Sequence, residues 1–317
     1  MREFRAHCFR AGRIFASLLG LQAMLVATQA DAQSCSVSMT SVAFGSVNVL
    51  PGAAVDTTAT VTVTCQGGSQ AVTACVNIAC GSACDSTSRQ MAGPSSQTAR
   101  YDLFADSARS IPWGSWQTGY DTAGVQISVP LNGTVNQTVY ARFLPSQQMD
   151  AAGGYTATVQ AFMTYINQNG AGNCPVGALN NTASASVSAT VSSNCTIAAT
   201  GISFGTQGIL STNTDAQGTL SVQCTEALPY IVSLDGGLSG ATNPTQRQMT
   251  FNSANVVYGL YQDAARSQPW GSSSGVNTLS GTGTGATQTL NVYGRVAPQT
   301  TPAPGTYTDT IVATITY

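Results

Sequence analysis

The cysteines are the residues of this chain with the clearest capacity for chemistry. One lies near the N-terminus and eight follow position 32. An even number of cysteines in an exported protein predicts disulfides. Metal binding is the alternative, but zinc sites usually include histidine or Cys-x-x-Cys pairs, and the single histidine lies at position 7. Disulfides are therefore expected, and neither a metal nor a cofactor is. The eight cysteines are Cys35, Cys65, Cys75, Cys80, Cys84, Cys174, Cys195 and Cys224.

Residues suited to catalysis are scarce. After position 32 the chain has no histidine, no lysine, ten aspartates and one glutamate, Glu226. The P-loop and His-Glu-x-x-His motifs are absent from the sequence. Two carboxylates would suffice for a glycosidase, but the aspartates lie mostly in repeated turn segments. The chain is therefore predicted not to be an enzyme, and no catalytic residue is assigned.

Residues 1–32 have the pattern of a signal peptide. Four arginines precede an apolar run from Ile14 to Val26, and Ala30-Asp31-Ala32 supplies the small residues of a cleavage site. The run is short and interrupted by polar residues, which disfavours a membrane span. The rest of the chain has seven arginines and eleven carboxylates, a net charge of 7 − 11 = −4. A mildly acidic surface disfavours binding to nucleic acid or to anionic membranes.

The sequence contains an internal duplication. A Cys…Phe-Gly opening, an Arg-Gln-Met triplet, a Pro-Trp-Gly-Ser turn and a Gly-x-Tyr-Thr strand recur in the same order. Short alternating strands between Gly, Pro, Asn and Asp turns are typical of antiparallel β-sandwiches. The prediction is an all-β protein with a signal peptide at 1–32 and two domains, at 33–192 and 193–317. The recurring segments begin at Cys35 and Cys195, Arg89 and Arg247, Pro112 and Pro269, and Gly153 and Gly305.

The duplication predicts two disulfides, because the pair Cys35 and Cys65 corresponds to the pair Cys195 and Cys224. Each bond would join the first strand of its domain to the next strand. A loop of this length implies about 3–4 kcal/mol of stabilisation on the chain-entropy model. The other four cysteines have no counterparts in the second copy, and their three possible pairings stay open.

The last shared strand is followed by different sequence in the two copies. Residues 305–317 alternate between aromatic or aliphatic side chains and threonines. The earlier copy, 154–165, is followed by another alternating stretch at 183–191, and the second copy has no such sequel here. An unpaired edge beside an unfilled core must be covered. The second domain is therefore expected to have a groove that another strand fills. The residues expected to line the groove are Ile197, Ile202, Ile311, Ala313, Ile315 and Tyr317.

These motifs resemble the spore coat protein U domain family, which includes subunits of archaic Csu-type chaperone–usher pili. The Cys…Phe-Gly openings, the Tyr-x-Leu-Tyr/Phe…Pro-Trp-Gly segment and the closing Gly-x-Tyr-Thr-Asp-Thr-Ile-x-Ala-Thr-Ile-Thr-Tyr carry the resemblance. It implies an immunoglobulin-like pilin fold that lacks its seventh strand. It also implies three partners: a periplasmic chaperone that first supplies the strand, an outer-membrane usher, and an adjacent pilin subunit whose N-terminal extension then replaces the chaperone.

The position of Cys35 bears on where such a subunit would lie. After the predicted cleavage only Gln33 and Ser34 precede it, which leaves no donor arm for a neighbour. The expected role is a tip subunit, exported through the periplasm to the cell surface at the pilus tip. Its first domain would be an adhesin for an abiotic or host surface and would promote biofilm formation. The alternative is a secreted structural coat or matrix protein that self-associates.

Residues that differ between the two copies are candidates for contact with that surface. The tryptophans that recur, Trp113 and Trp270, are expected to be structural. Two aromatic residues follow the first Pro-Trp-Gly-Ser turn where the second copy has a Gly/Ser-rich loop, and an apolar turn lies near position 50. Exposed apolar loops tend to mark interaction sites, although ordinary surface variation is the competing interpretation. The predicted contact residues are Trp116, Tyr120, Val49 and Leu50.

Overall fold

The computed structural model describes residues 33–80, 83–85, 88–114, 124–167 and 181–317. In these residues the regular structure is β-strand apart from one short 3-10 helix. No helix in the described part is long and apolar enough to cross a bilayer. The predicted all-β class is confirmed.

The N-terminal half forms a single curled sheet, which we call the N-terminal sandwich. Its strands run in the order β1-β3-β8-β6-β5-β9-β10-β2, and β4 pairs with both β7 and β9. The strands are β1 (Ser34–Met39), β2 (Val42–Val47), β3 (Val55–Gln66), β4 (Val72–Ile78), β5 (Arg89–Ala92), β6 (Thr98–Phe104), β7 (Val125–Val129), β8 (Thr134–Phe143), β9 (Gly153–Asn167) and β10 (Asn181–Val191), with the 3-10 helix at Pro94–Ser96.

The C-terminal half forms two sheets, which together we call the C-terminal sandwich. One has the order β11-β12-β17-β15-β14 and the other the order β16-β13-β18. The strands are β11 (Cys195–Ala199), β12 (Thr214–Cys224), β13 (Pro229–Leu234), β14 (Arg247–Phe251), β15 (Ala254–Tyr261), β16 (Leu279–Thr282), β17 (Gln288–Val296) and β18 (Ala313–Thr316). These orders repeat β1-β3-β8-β6-β5 and β7-β4-β9 of the N-terminal sandwich, so β2 and β10 are the strands without counterparts.

Each sandwich encloses its own apolar core. The cores form because inward residues alternate with outward ones along each strand, as in β10, where Val187 and Val191 are buried and the residues beside them are not. The predicted signal peptide at 1–32 lies outside the described residues. The limits 33–192 and 193–317 stay predictions.

The shared cysteines and tryptophans have the same surroundings in both sandwiches. Cys35 is bonded to Cys65 and Cys195 to Cys224, each with Cα atoms 4.1 Å apart, as the duplication predicts. Both tryptophans are fully buried, and the indole N–H donates to the carbonyl of Val76 at 2.9 Å in one and of Val232 at 3.0 Å in the other. The prediction that these tryptophans are structural is confirmed. Of the four cysteines peculiar to the first copy, Cys80 is bonded to Cys84, Cys75 is disulfide-bonded, and Cys174 lies outside the described residues.

The two sandwiches are joined end to end. Strand β10 finishes opposite Gly153, and the chain enters the C-terminal sandwich directly after it. There Thr225 is fully buried, its N–H donates to the Asn194 carbonyl at 3.0 Å, and its hydroxyl accepts from Asn194 N at 3.0 Å. A parallel bridge between Ala151 and Glu226 adds a second connection. The turns at 66–72 and 130–133 lie at the opposite, distal end of the N-terminal sandwich. Val72 pairs there with Val129 and with Asn167, which is at the other end of β9 from Gly153.

Candidate functional site

Strand β10 shows what completes a sandwich of this type. It pairs antiparallel with β9 from Asn181 opposite Met163 to Val191 opposite Gly153. Its other edge pairs in parallel with β2. Inward side chains of β10, among them Val187, are buried between these neighbours. The strand therefore supplies both backbone hydrogen bonds and apolar core.

The corresponding space in the C-terminal sandwich, which we call the slot, contains no strand of the described residues. Its first wall is residues 305–316, the counterpart of residues 153–164 in β9. Its second wall is residues 202–210, the counterpart of β2 and the turn after it. Only β18 is a strand in the first wall, and it pairs with β13 on one edge. No strand of the described chain pairs with its other edge or with the second wall.

Apolar side chains in the walls of the slot are only half-buried, whereas their counterparts in the N-terminal sandwich are fully buried. Ile202 occupies the position of Val42, which is fully buried, and Ile202 is itself half-buried. Ile311 and Ile315 occupy the positions of Val159 and Met163, with the same difference in burial. The slot is therefore an apolar cleft between two unpaired edges.

The structure brings most of the predicted groove residues together. Five of them are half-buried and pack against the C-terminal core. Tyr317 differs, because 55% of it is exposed and its hydroxyl lies 3.4 Å from Asn194 Oδ1 at the junction. The five that pack together are Ile197, Ile202, Ile311, Ala313 and Ile315.

Tyr258 of β15 joins the two walls of the slot. Its ring packs edge-on against Phe204 of the second wall, with centroids 6.0 Å apart. Its hydroxyl donates to Asp309 Oδ2 of the first wall at 2.7 Å. Burial and the nearby carboxylate raise the pKa of Tyr258 above its usual range, so the phenol keeps its proton. Asp309 Oδ1 also accepts from Leu238 N at 2.8 Å, which attaches the first wall to the loop after β13.

The sequence interpretation did not identify these two residues. A usable signal was present, because Asp309 is a charged residue at an inward position of an alternating strand, where the first copy has Ala157. Such a residue is expected to have a partner inside the sandwich. The identity of that partner required the structure, since Tyr258 and Asp309 are 51 residues apart.

A fully buried arginine lies in each core, and it has different partners in the two sandwiches. Arg89 forms a salt bridge with Asp102 of β6. Gly259 takes the place of Asp102 in the second copy, and no carboxylate of the described chain lies within salt-bridge distance of Arg247. Burial lowers the pKa of Arg247, and Tyr258, Asp235 and Asp309 oppose that change. The guanidinium donates to the carbonyls of Leu234, Asp235, Pro244 and Trp270.

Two of the four predicted surface-contact residues lie in the described part of the chain. Trp116 and Tyr120 lie outside the described residues. Val49 and Leu50 are 3% and 6% exposed, which corrects the prediction that they form an exposed apolar turn. The cause is that the turn folds back on its own sandwich, where Val49 joins the N-terminal core. No group of three or more potential metal ligands occurs in the described part of the chain.

Comparison with known proteins places the chain in a family. The family model for the Spore Coat Protein U domain matches residues 21–162 and 181–314. The chain belongs to this family. Protein U of Myxococcus xanthus is 39% identical over 106 residues, which are 32% of this chain and 59% of that protein. The alignment thus spans less than two thirds of the length of this relative.

Solved structures extend the comparison to the fold. One match is the CsuC–CsuE chaperone–tip adhesion subunit pre-assembly complex from archaic chaperone–usher Csu pili of Acinetobacter baumannii, with a TM-score of 0.51, 19% identity, and coverage of 90% of this chain and 100% of that one. The CupB6 tip adhesin from Pseudomonas aeruginosa matches with a TM-score of 0.38, 11% identity and coverage of 89% and 94%. The first likeness supports the fold predicted here. The chain has two tandem immunoglobulin-like sandwiches, of which the second lacks its final strand.

Proposed function

We propose that this protein is the tip adhesin subunit of a chaperone–usher pilus and mediates attachment and biofilm formation. The empty slot carries the proposal, because β10 occupies the equivalent space in the N-terminal sandwich. A strand from another protein could enter the slot by β-augmentation, with backbone hydrogen bonds giving affinity and inward side chains giving specificity. The apolar walls and the unpaired edges are the two features that such a strand needs.

The expected partners follow from that mechanism. A periplasmic chaperone covers the slot first, an outer-membrane usher receives the complex, and an adjacent pilin subunit then donates its own strand. The family membership and the likeness to a chaperone–tip adhesion subunit complex support this order. The protein would pass through the periplasm to the cell surface. The role needs no catalytic step.

The tip position is supported by the difference between the sandwiches. The N-terminal sandwich has its own closing strand and needs no donor, so it can face outward. The C-terminal sandwich accepts a strand and connects to the fibre. This division assigns adhesion to the N-terminal sandwich and assembly to the C-terminal one.

The assembly role is tested with a chain whose slot is filled from within. We define the closed chain as residues 33–317 followed by a flexible linker, as long as segment 166–180, and a copy of residues 181–191. The open chain ends at Tyr317. The open chain should form a stable complex with a co-expressed periplasmic chaperone of a chaperone–usher system, and the closed chain should not. Equal binding by both chains contradicts the proposed use of the slot, and self-association of the open chain in place of binding would favour a coat or matrix protein.

The adhesive role is assigned to Trp116 and Tyr120. Together they could bury roughly 200–300 Å² of apolar surface, which is about 5–7 kcal/mol before ordering costs. Many fibres would multiply a weak contact. Replacing both by serine should leave assembly intact and reduce attachment to hydrophobic surfaces more than attachment to hydrophilic ones.

Val276 provides a matched control for that experiment. It lies in the corresponding loop of the C-terminal sandwich and is 82% exposed. Val276→Ser removes an exposed apolar side chain without touching the proposed contact, so attachment should stay normal. Normal attachment by the double variant, with normal pili, would remove Trp116 and Tyr120 from the contact surface. Failure of the double variant to assemble would identify them as core residues.

A further inference from the structure

The first wall of the slot differs from its counterpart at one inward position. Ala157 is buried in β9, and Asp309 occupies the same position in the C-terminal sandwich. In the N-terminal sandwich β10 lies between the walls, with Val187 opposite both Ala157 and Val42. In the C-terminal sandwich the Asp309 carboxylate reaches from the wall to Tyr258.

The tyrosines beneath the two spaces differ accordingly. The hydroxyl of Tyr101 is buried and has no hydrogen-bond partner among the described residues, although its ring packs edge-on against Phe44 at 6.3 Å. Tyr258 keeps the same aromatic contact, to Phe204 at 6.0 Å, and gains the 2.7 Å bond to Asp309. Among the described residues, a tyrosine connects the two walls only in the sandwich without a closing strand.

The loop after β13 and the buried arginine fit the same arrangement. Gly237 has a positive φ of 69°, and a β-carbon there would collide with the Asp309 carboxylate. The charge that Asp102 supplies in the N-terminal sandwich is absent at Gly259. Asp309 is one of the carboxylates that stabilise the charged form of Arg247. The carboxylate near the buried arginine is thus Asp102 of β6 in the N-terminal sandwich, and Asp309 in the first wall of the slot is one such carboxylate in the C-terminal sandwich.

We propose that Asp309 holds the empty slot in the shape that receives a donor strand. The carboxylate fixes Tyr258, and Tyr258 packs on Phe204, so the first wall is connected to the second before any strand arrives. In the N-terminal sandwich β10 itself keeps the walls in place, and no such connection is needed. Asp309 is therefore a positioning residue for strand entry. This inference rests on the proposed function.

The test measures each variant in both the open and the closed chain. Asp309→Ala introduces the residue of the N-terminal sandwich. In the open chain it should increase amide hydrogen exchange of Leu210, Thr308 and Val312, whose N–H groups are hydrogen-bonded in the walls, by about tenfold. The reason is that a part-buried charge-assisted bond is lost. In the closed chain the fused strand holds the walls, and the increase should be less than about threefold. The association rate of a synthetic peptide with the sequence of residues 181–191 should fall for the open variant. The conservative variant Asp309→Asn should recover part of the rate.

Tyrosine variants give a matched pair. Tyr258→Phe in the open chain should have an effect similar to that of Asp309→Ala, and the double variant should be no worse than either single one. Tyr101→Phe should leave exchange unchanged or slow it, because its hydroxyl has no partner to lose.

Two outcomes separate the inference from the proposed function. If Asp309→Ala has equal effects in the open and closed chains, the residue is merely structural and the inference is overturned, while the slot keeps its proposed use. If the closed chain without substitutions is no more protected than the open chain, the strand does not fill the slot, and both proposals are contradicted.

Discussion

The two sandwiches are copies of one pattern, and they differ in whether a single strand is present. Residues 153–160 of β9 and residues 305–312 have similar alternation, yet only the former are a strand. Likewise, residues 42–47 form strand β2, whereas residues 202–207 are not a strand. A strand is defined by hydrogen bonds to a neighbour, so removing β10 also removes regular structure from both strands that it would pair with. Sequence propensity sets the pattern, and the partner determines whether it becomes a strand.

The comparison predicts a large gain in stability when the slot is filled. The closed chain should melt about 10–20 °C above the open chain, because the fused strand buries two valines and two alanines and pairs two free edges. The unfilled slot should also make the open chain prone to association. Differential scanning calorimetry and sedimentation would measure both effects.

A mismatched strand is the control for the closed chain. A copy of residues 181–191 with aspartate at the positions of Ala185 and Val187 keeps the length and the linker but would bury charge. It should give no gain in melting temperature. A monomeric open chain as stable as the closed one would contradict the unfilled slot.

Many features that the two sandwiches share could be predicted from sequence, because the duplication shows which residues recur in both copies. The pairing of Cys35 with Cys65 and the buried Trp113 followed from their recurrence. Alternation in residues 183–191 identified the strand that the second copy lacks. These features depend on local pattern and on order along the chain.

Other features depend on which side chains meet across the sandwich. Tyr258 lies in β15 and Asp309 in the segment before β18, so neither sequence segment alone indicates their contact. Arg247 looks like a surface residue by type, yet it is fully buried because carbonyl oxygens surround it. Val49 and Leu50 look like an exposed apolar turn, yet both are buried. Recurrence marks a residue as important to the fold without stating its surroundings.

The shared disulfides provide the next largest expected effect. They close loops with sequence separations of 30 and 29 residues. Replacing either pair by alanine should therefore cost about 3–4 kcal/mol of unfolding free energy in its own sandwich. Chemical denaturation of the closed chain would measure the loss. Non-reducing peptide mapping should recover Cys35 with Cys65 and Cys195 with Cys224. Free thiols or cross-domain pairs would overturn the alignment of the two copies.

Asp150 predicts a pH effect confined to the N-terminal sandwich. It is 9% exposed, and its Oδ2 has no hydrogen-bond partner in the described chain. Burial raises its pKa to about 6, so the folded state binds the proton more tightly than the unfolded state does. Its contribution favours folding below about pH 4 and is lost as pH rises to about 6. Asp150→Asn should raise the unfolding free energy at pH 7 by up to about 2–3 kcal/mol. It should also flatten the slope between these pH values.

Pro302 makes the C-terminal sandwich the control for that titration, because it occupies the position of Asp150 and cannot ionise. Unfolding of the two sandwiches must be followed separately, for example by hydrogen exchange. A pH slope of the same sign and size in the C-terminal sandwich would show that Asp150 is not its source.

The smallest expected difference concerns the exposed ion pairs on the sheet away from the slot. Arg142 and Arg109 lie 2.7 and 3.3 Å from Asp56, and Arg295 and Arg266 lie 2.7 and 3.1 Å from Asp215. Hydrogen bonds from Arg142 and Arg295 lower the pKa of these two aspartates. Their contribution to stability is therefore present at neutral pH and is lost as pH falls below about 4.

Asp56→Asn and Asp215→Asn should each cost roughly 0.5–1 kcal/mol, because the aspartate side chains are 37% and 36% exposed and solvent screens them. Equal losses in the open chain would mean that the empty slot loosens only its own walls, since β12 and β17 keep the geometry of β3 and β8. A smaller loss for Asp215→Asn, restored to the Asp56→Asn value in the closed chain, would mean that the missing strand weakens the whole C-terminal sandwich. Denaturant titrations of the four variants and their two unsubstituted parents would distinguish a local slot from a sandwich that is loosened throughout.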